Sequence, residues 1–218
     1  MTEQASRDVP YAEPNIAIVA DAEDEEPILL SDPDMTAAEL GAVDAVLRSP
    51  KLNGGEVVEA FEHAFADYLG RKYAIAVPSG TIGLALTLSA YGIGAGDEVI
   101  ASSFSYREAV QAIRIVGATV VFADIDYWSG TLAPAKAQAK VTAKTRAIIA
   151  GNTNGHPAPW AELRSLAIDC GVTLIEDSTE AIGSRYQNCL VGTFGDCSVF
   201  DLSQPLAISC GEGGMIVT

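Results

Sequence analysis

Three short stretches of this 218-residue chain combine reactive or phosphate-attracting residue types with backbone freedom. Ser79-Gly80-Thr81 follows the β-rich run YAIAVPS and opens an apolar helical pattern. Glycine permits close backbone approach, and the free N–H groups of a helix start attract phosphate. The same tripeptide also serves as an ordinary helix cap. Glu176-Asp177-Ser178 closes the run TLIEDS. An acid placed after TLI is either a buried charge with a cationic partner or a cap for the next turn. Gly211-Glu212-Gly213-Gly214 forms a tight turn before a last β-rich run, which alone is turn chemistry. Metal chemistry is not indicated. Cys170, Cys189, Cys197 and Cys210 show no CxxC spacing, and His63 and His156 stand far apart. The cysteines read as reduced, mostly small core residues, Cys210 among them.

These stretches can cooperate only if a fold brings them together. Short β-rich runs occur at 73–79, 98–103, 119–125, 146–152, 173–178, 197–203 and 213–218. Helical patterns fill most of the early gaps: TIGLALTLSAYG, REAVQAIRIVG and WAELRSLAIDCG. Strands apolar on both faces and separated by helices predict a three-layer α/β/α domain with a mainly parallel, seven-stranded sheet. Ligands of such sheets bind beyond the carboxyl ends of the strands. Before the sheet, a helix is expected over TAAELGAVDAVLRS. A second, GEVVEAFEHAFADYLG, places Val58, Phe61, Phe65 and Tyr68 on one stripe and ends at Gly70.

Charge divides the chain. Residues 1–40 hold eleven acids against Arg7, a net charge of −10, which leaves −6 of the total −16 for the rest. Residues 1–33 are expected to be an acidic, partly disordered arm, and residues 34–218 the globular domain. Such a surface repels nucleic acid and anionic membranes. No apolar run approaches the roughly 18 residues that span a bilayer, and the N-terminus is unlike a secretion signal. The expectation is a cytoplasmic protein.

Several blocks, taken together in order, resemble the DegT/StrS family of pyridoxal-phosphate (PLP)-dependent sugar aminotransferases. They are KLNGGEVVEAFEHAFADYLG, PSGTIGLALTLSAYGIGAGDEVI, GATVVFADID, KTRAII, VTLIEDSTEAIGSRY, VGTFGD and GEGGMIVT. The resemblance runs from about Asp34 to Thr218 and implies the large domain of an aspartate-aminotransferase-like fold. It implies that Gly80 and Thr81 sit where backbone amides bind the cofactor phosphate. Tyr106 then sits where an aromatic ring stacks on the pyridine. Asp177 sits where a carboxylate pairs with the protonated ring nitrogen and keeps the cofactor an electron sink.

Three positions depart from the family. Where relatives have a phosphate-holding serine in FSF, this chain has Asp201 in Phe200-Asp201-Leu202. A carboxylate ~4 Å from phosphate in a half-buried site opposes it by about 4 kcal/mol, or three orders of magnitude in affinity, unless it turns away or is protonated. Where relatives carry glutamine or histidine, Glu180 adds a second acid. The position of the Schiff-base lysine falls on Leu206, and no lysine occurs after Lys144. Leucine can neither form the imine nor shuttle the proton. The C-terminal domain that closes over substrate in the family is also expected to be absent.

The resemblance therefore implies a chain without a covalent Schiff base of its own, with PLP or pyridoxamine phosphate (PMP) binding possible but weakened. The leading expectation is a non-catalytic subunit paired with a full-length, lysine-bearing relative through the blocks 36–70 and 80–92. Two alternatives stay open. One is a non-covalent binder of PLP, PMP or a nucleotide sugar, and the other is the N-terminal half of a split aminotransferase. Asn152, Asn154 and His156 either touch a ligand or shape the strand-end loop, with the loop role favoured.

Overall fold

The computed structural model describes residues 34–203 and 207–218. The expected acidic arm over 1–33 and the Leu206 position lie outside them.

Helix α1 (Ala37–Leu47) starts where Thr36 and Glu39 form a capping box, with Thr36 N–H donating to Glu39 Oε2 at 2.7 Å. Helix α2 (Glu56–Leu69) ends on Gly70, whose φ of +66° is the left-handed cap conformation that glycine adopts without penalty. Its inward stripe is Val58, Phe61, Phe65 and Leu69 rather than Tyr68. Tyr68, expected on that stripe, is 52% exposed. The face drifts by one residue because the apolar repeat follows 3.6 residues per turn.

Strand β1 (Ala74–Val77) leads into α3 (Gly80–Ala90), and β2 (Glu98–Ser102) into α4 (Arg107–Ile115). After β3 (Thr119–Ala123) comes the short α5 (Pro134–Gln138), which no sequence period announced. Strand β4 (Thr145–Gly151), α6 (Trp160–Cys170) and β5 (Thr173–Asp177) follow. A two-residue hairpin, β6 (Arg185–Tyr186) and β7 (Cys189–Leu190), turns through Gln187 and Asn188, both at positive φ. Strands β8 (Cys197–Asp201) and β9 (Gly214–Val217) are the last of the described elements.

All seven expected strands join one sheet in the order β1-β9-β8-β5-β4-β2-β3. The neighbours from β3 through to β8 pair in parallel. Strand β9 is antiparallel to both β1 and β8. One face of the sheet is covered by α3 and α4, through Leu84, Leu88, Ala112 and Ile113 against Val99, Ile149 and Val199. The other face packs Trp160, Leu163 and Ala137 of α6 and α5 against Ile100, Ile148 and Leu174. There α2 adds Phe65 and Leu69 against Phe200, Met215 and Val217. This is the three-layer α/β/α architecture that the alternation of runs predicted. Its parallel strands aim their carboxyl ends at one edge, and the site lies there. Among the described residues no helix is long and apolar enough to cross a membrane.

Candidate functional site

Two adjoining cavities open beyond the carboxyl ends of β2, β4, β5 and β8. One, of about 290 Å³, includes Ser79, Gly80, Thr81, Tyr106, Asp177 and Asp201 in its lining. The other, of about 250 Å³, includes Phe104, Tyr106, Asn154, Asp177 and Glu180. Tyr106 and Asp177 border both. Five of the six residues expected to hold a cofactor thus line the first cavity, and Glu180 lines the second. Sequence reasoning missed Phe104, Thr179 and Ser203 in these walls and read Glu212 only as part of the turn before the last strand. Their types are common in loops and carry no spacing signal.

At one end, Ser79 caps α3 by accepting from Ile82 N–H at 3.3 Å. The Gly80 N–H donates to Asp201 Oδ2 at 2.7 Å. Asp201 Oδ1 accepts from Ser203 N–H at 2.8 Å and also from the Ser203 hydroxyl. Asp201 has therefore not turned away from the phosphate end; its carboxylate lies on the helix start itself. A Cβ on Gly80 would stand 2.6 Å from Asp201 Cβ, so only glycine allows this approach. Gly214, opposite Asp201 in the β8–β9 register, is equally confined. A Cβ there would meet Ser79 C at 2.7 Å and Gly80 N at 2.8 Å. The last glycine of the GEGG turn is thus a close-packing requirement beneath α3, beyond the turn role read from sequence.

At the other end, Tyr106 stands at the N-cap of α4 and donates its hydroxyl to Glu180 Oε1 at 2.6 Å. That hydrogen bond, with burial second, pushes the Tyr106 phenol up to about 12. Glu180 Oε2 accepts from Asn154 N–H at 2.8 Å, tying the strand-end loop to the 179–181 turn. Asp177 ends β5, and its Oδ1 accepts from Thr179 N–H at 3.2 Å. Burial raises its carboxyl to about 6, and the charges of Glu180 and Asp201 add to the rise. Thr179 Oγ1 in turn accepts from Asp201 N–H at 2.9 Å, so a short relay of contacts joins the two ends.

Beneath the cavities lies Glu176, fully buried. Neither sequence reading of this acid holds: among the described residues it has no cationic partner, and the N–H groups it accepts from belong to the distant loop 192–195 rather than to the turn that follows β5. Its Oε1 accepts from Asn152 Nδ2 at 3.0 Å, Ser178 Oγ at 2.8 Å and Gly192 N–H at 2.5 Å. Its Oε2 accepts from Phe194 N–H at 2.8 Å, Gly195 N–H at 3.0 Å and Ser198 Oγ at 3.2 Å. Six neutral donors meet the two carboxyl oxygens in place of water. Asn152 is structural as well: its Oδ1 accepts from Ala158 N–H at 3.0 Å and Trp160 Nε1–H at 2.9 Å. His156 is exposed and borders neither cavity. The loop role favoured for these residues is what Asn152 performs.

The balance of charge defines what the site can do. Glu108, Asp177, Glu180, Asp201 and Glu212 line the cavities, and among the described residues Arg107 is the sole cation there. No lysine lines either cavity among those residues. The ring end offers an aromatic face and a carboxyl that titrates near neutrality. At the phosphate end the helix amide is engaged by the chain's own carboxylate, and the residues as arranged do not fit a phosphate ester there.

An open α/β sheet with its site at this edge matches the large domain of PLP-dependent aminotransferases. The chain belongs to the DegT/DnrJ/EryC1/StrS aminotransferase family, whose profile matches residues 33–218. It is 38% identical over 187 residues to GDP-perosamine synthase of Escherichia coli O157:H7, covering 85% of this chain and 51% of that protein. An aminotransferase from Psychrobacter cryohalolentis superposes with a TM-score of 0.84 at 34% identity, over 88% of this chain and 49% of the other. A Streptococcus pneumoniae protein solved in PLP and PMP forms gives a TM-score of 0.84 at 26% identity, over 87% and 52%. The chain spans about half the length of the relatives it matches.

Proposed function

We propose that this chain is a non-catalytic member of the sugar aminotransferase family, acting as a subunit beside a full-length, lysine-bearing relative. The observation that carries the reading is that no lysine lines either cavity among the described residues. Leu206 occupies the position to which family resemblance assigns the Schiff-base lysine, and no lysine follows Lys144. An imine needs a primary amine within bonding reach of the aldehyde. Cofactor affinity is weakened by the acidic lining. Any catalysis in which the chain takes part uses the partner's lysine.

The exposed face of the domain supports a partner. Helix α1 buries none of its residues, and Leu40, Val43 and Leu47 are 64%, 57% and 66% exposed along one stripe. Ile82 and Leu86 of α3 are exposed as well. Burying one such side chain is worth about 1.5–3 kcal/mol, so a stripe of this length favours association. These residues belong to the blocks 36–70 and 80–92 expected at an interface.

The test has two arms. The purified chain mixed with PLP should show no imine absorbance band, and a band on the isolated chain would end the reading of a silent site. Co-expression with a lysine-bearing family member should yield a complex that survives size-exclusion chromatography. A well-behaved monomer that captures no such relative would end the subunit reading. A second reading, non-covalent binding of PMP or a nucleotide sugar, is favoured by the intact ring end, where Tyr106 and Asp177 border both cavities. Saturable binding of PMP by the isolated chain would select it.

A further inference from the structure

The start of an α-helix of eleven residues, as α3 is, offers unpaired N–H groups and a partial positive charge. An anion settles there readily. In this molecule the anion is supplied by the chain, from 121 residues away in sequence. Asp201 Oδ2 takes the Gly80 N–H at 2.7 Å, and Oδ1 takes the N–H of Ser203 at 2.8 Å together with its hydroxyl. The Asp201 N–H is itself pinned to Thr179 Oγ1 at 2.9 Å, which fixes the backbone that carries the side chain. Glycine at 80 and at 214 lets β8, β9 and α3 come close enough for the contact.

We infer that Asp201 is a tethered internal anion that occupies the α3 start and competes directly with phosphate-bearing ligands for it. Charge repulsion alone would disfavour phosphate from anywhere in the cavity. A tethered carboxylate does more, because it also holds the donors that a phosphate would need. A phosphate must break its hydrogen bonds to Gly80 and Ser203 before making its own. The inference deepens the reading of a non-catalytic chain and shares with it only the premise that the pocket descends from a phosphate-binding one. It concerns an anion contact and makes no use of a lysine, so the two can fail separately.

The experiment titrates the full chain with inorganic phosphate and with PMP, neither of which requires an imine, and reads binding by calorimetry. Wild type should show no saturable binding at millimolar ligand. Asp201→Asn, which keeps the shape and removes the charge, and Asp201→Ser should each tighten binding by on the order of 1000-fold. Glu212→Gln removes a charge from the same cavity but leaves the tether, and should gain little. Equal binding by wild type and the Asp201 variants overturns the inference, as does a gain in Glu212→Gln equal to that in Asp201→Asn. Should both Asp201 variants fail to fold, the wild-type Gly80 amide resonance decides. A resonance that tracks an acidic titration and ignores added phosphate supports the tether, and one that shifts on adding phosphate overturns it.

Discussion

Glu176 and Asp177 are neighbours on β5 and face opposite sides of the sheet. One faces the floor beneath the site and the other faces its mouth. Both are withdrawn from water, yet their surroundings differ in one respect, the supply of donors. Glu176 collects three backbone N–H groups, two hydroxyls and an amide. Asp177 has the Thr179 N–H and looks across at Glu180 and Asp201. Every oxygen of the Glu176 carboxyl is therefore met by donors, while burial with few donors pushes Asp177 toward its neutral form. The two acids differ in their supply of donors more than in their depth.

The sharpest way to break this comparison is at the floor. Glu176→Ala would strand six donors, and each buried donor left without an acceptor costs about 1–3 kcal/mol. The total should exceed about 4 kcal/mol, a large part of a domain's stability. The expected result is insoluble protein or the loss of a cooperative thermal transition by circular dichroism. A variant that melts normally would show that the loop 192–195 does not depend on this acceptor.

At the mouth the sign is reversed. Asp177 has a folded value of about 6 against 3.8 unfolded, so the native state holds more protons between those values. Stability conferred by the neutral carboxyl is present below about pH 4 and is lost as pH rises toward 6. Asp177→Asn should stabilise the protein at pH 7.5 by up to about 3 kcal/mol and flatten this part of the profile. Chemical denaturation at pH 4, 5, 6 and 7.5 measures it. Unchanged pH dependence in the variant would assign the profile to other groups.

Smaller effects refine the picture. Tyr106→Phe removes one hydrogen bond at a half-exposed site and should cost about 1 kcal/mol. A wild-type minus Tyr106→Phe ultraviolet titration isolates one of the chain's seven tyrosines. Its midpoint should lie near 12, and Glu180→Gln should bring it down, because the carboxylate is the main cause of the rise. Last, Leu40→Ser with Val43→Ser on the exposed face of α1 should change stability by less than about 0.5 kcal/mol, yet abolish any complex with a lysine-bearing relative. A large loss of stability would mean that α1 is covered within this chain.

The seven strands, three of the four helices within the sheet region and the domain's layers were legible because period and punctuation are local. Apolar runs bounded by glycine announce buried strands, and Gly70 closed its helix where expected. Short elements escaped: α5 has five residues and the β6–β7 hairpin two per strand, too few to display a period. The stripe of α2 was misplaced at Tyr68 because two adjacent residues, Tyr68 and Leu69, both fit a 3.6-residue repeat, and the buried one is Leu69.

From sequence alone came the surplus of acids and, by family resemblance, the leucine assigned to the Schiff-base lysine position, since residue type at a position needs no coordinates. Which acid meets which donor was settled only by tertiary structure. Asp201 reaches Gly80 across 121 residues, and Glu176 finds its donors at Asn152, at Ser178, in the loop 192–195 and at Ser198. Such contacts depend on how strands β5, β8 and β9 are ordered in the sheet, and strand order is a non-local property that side-chain spacing does not encode.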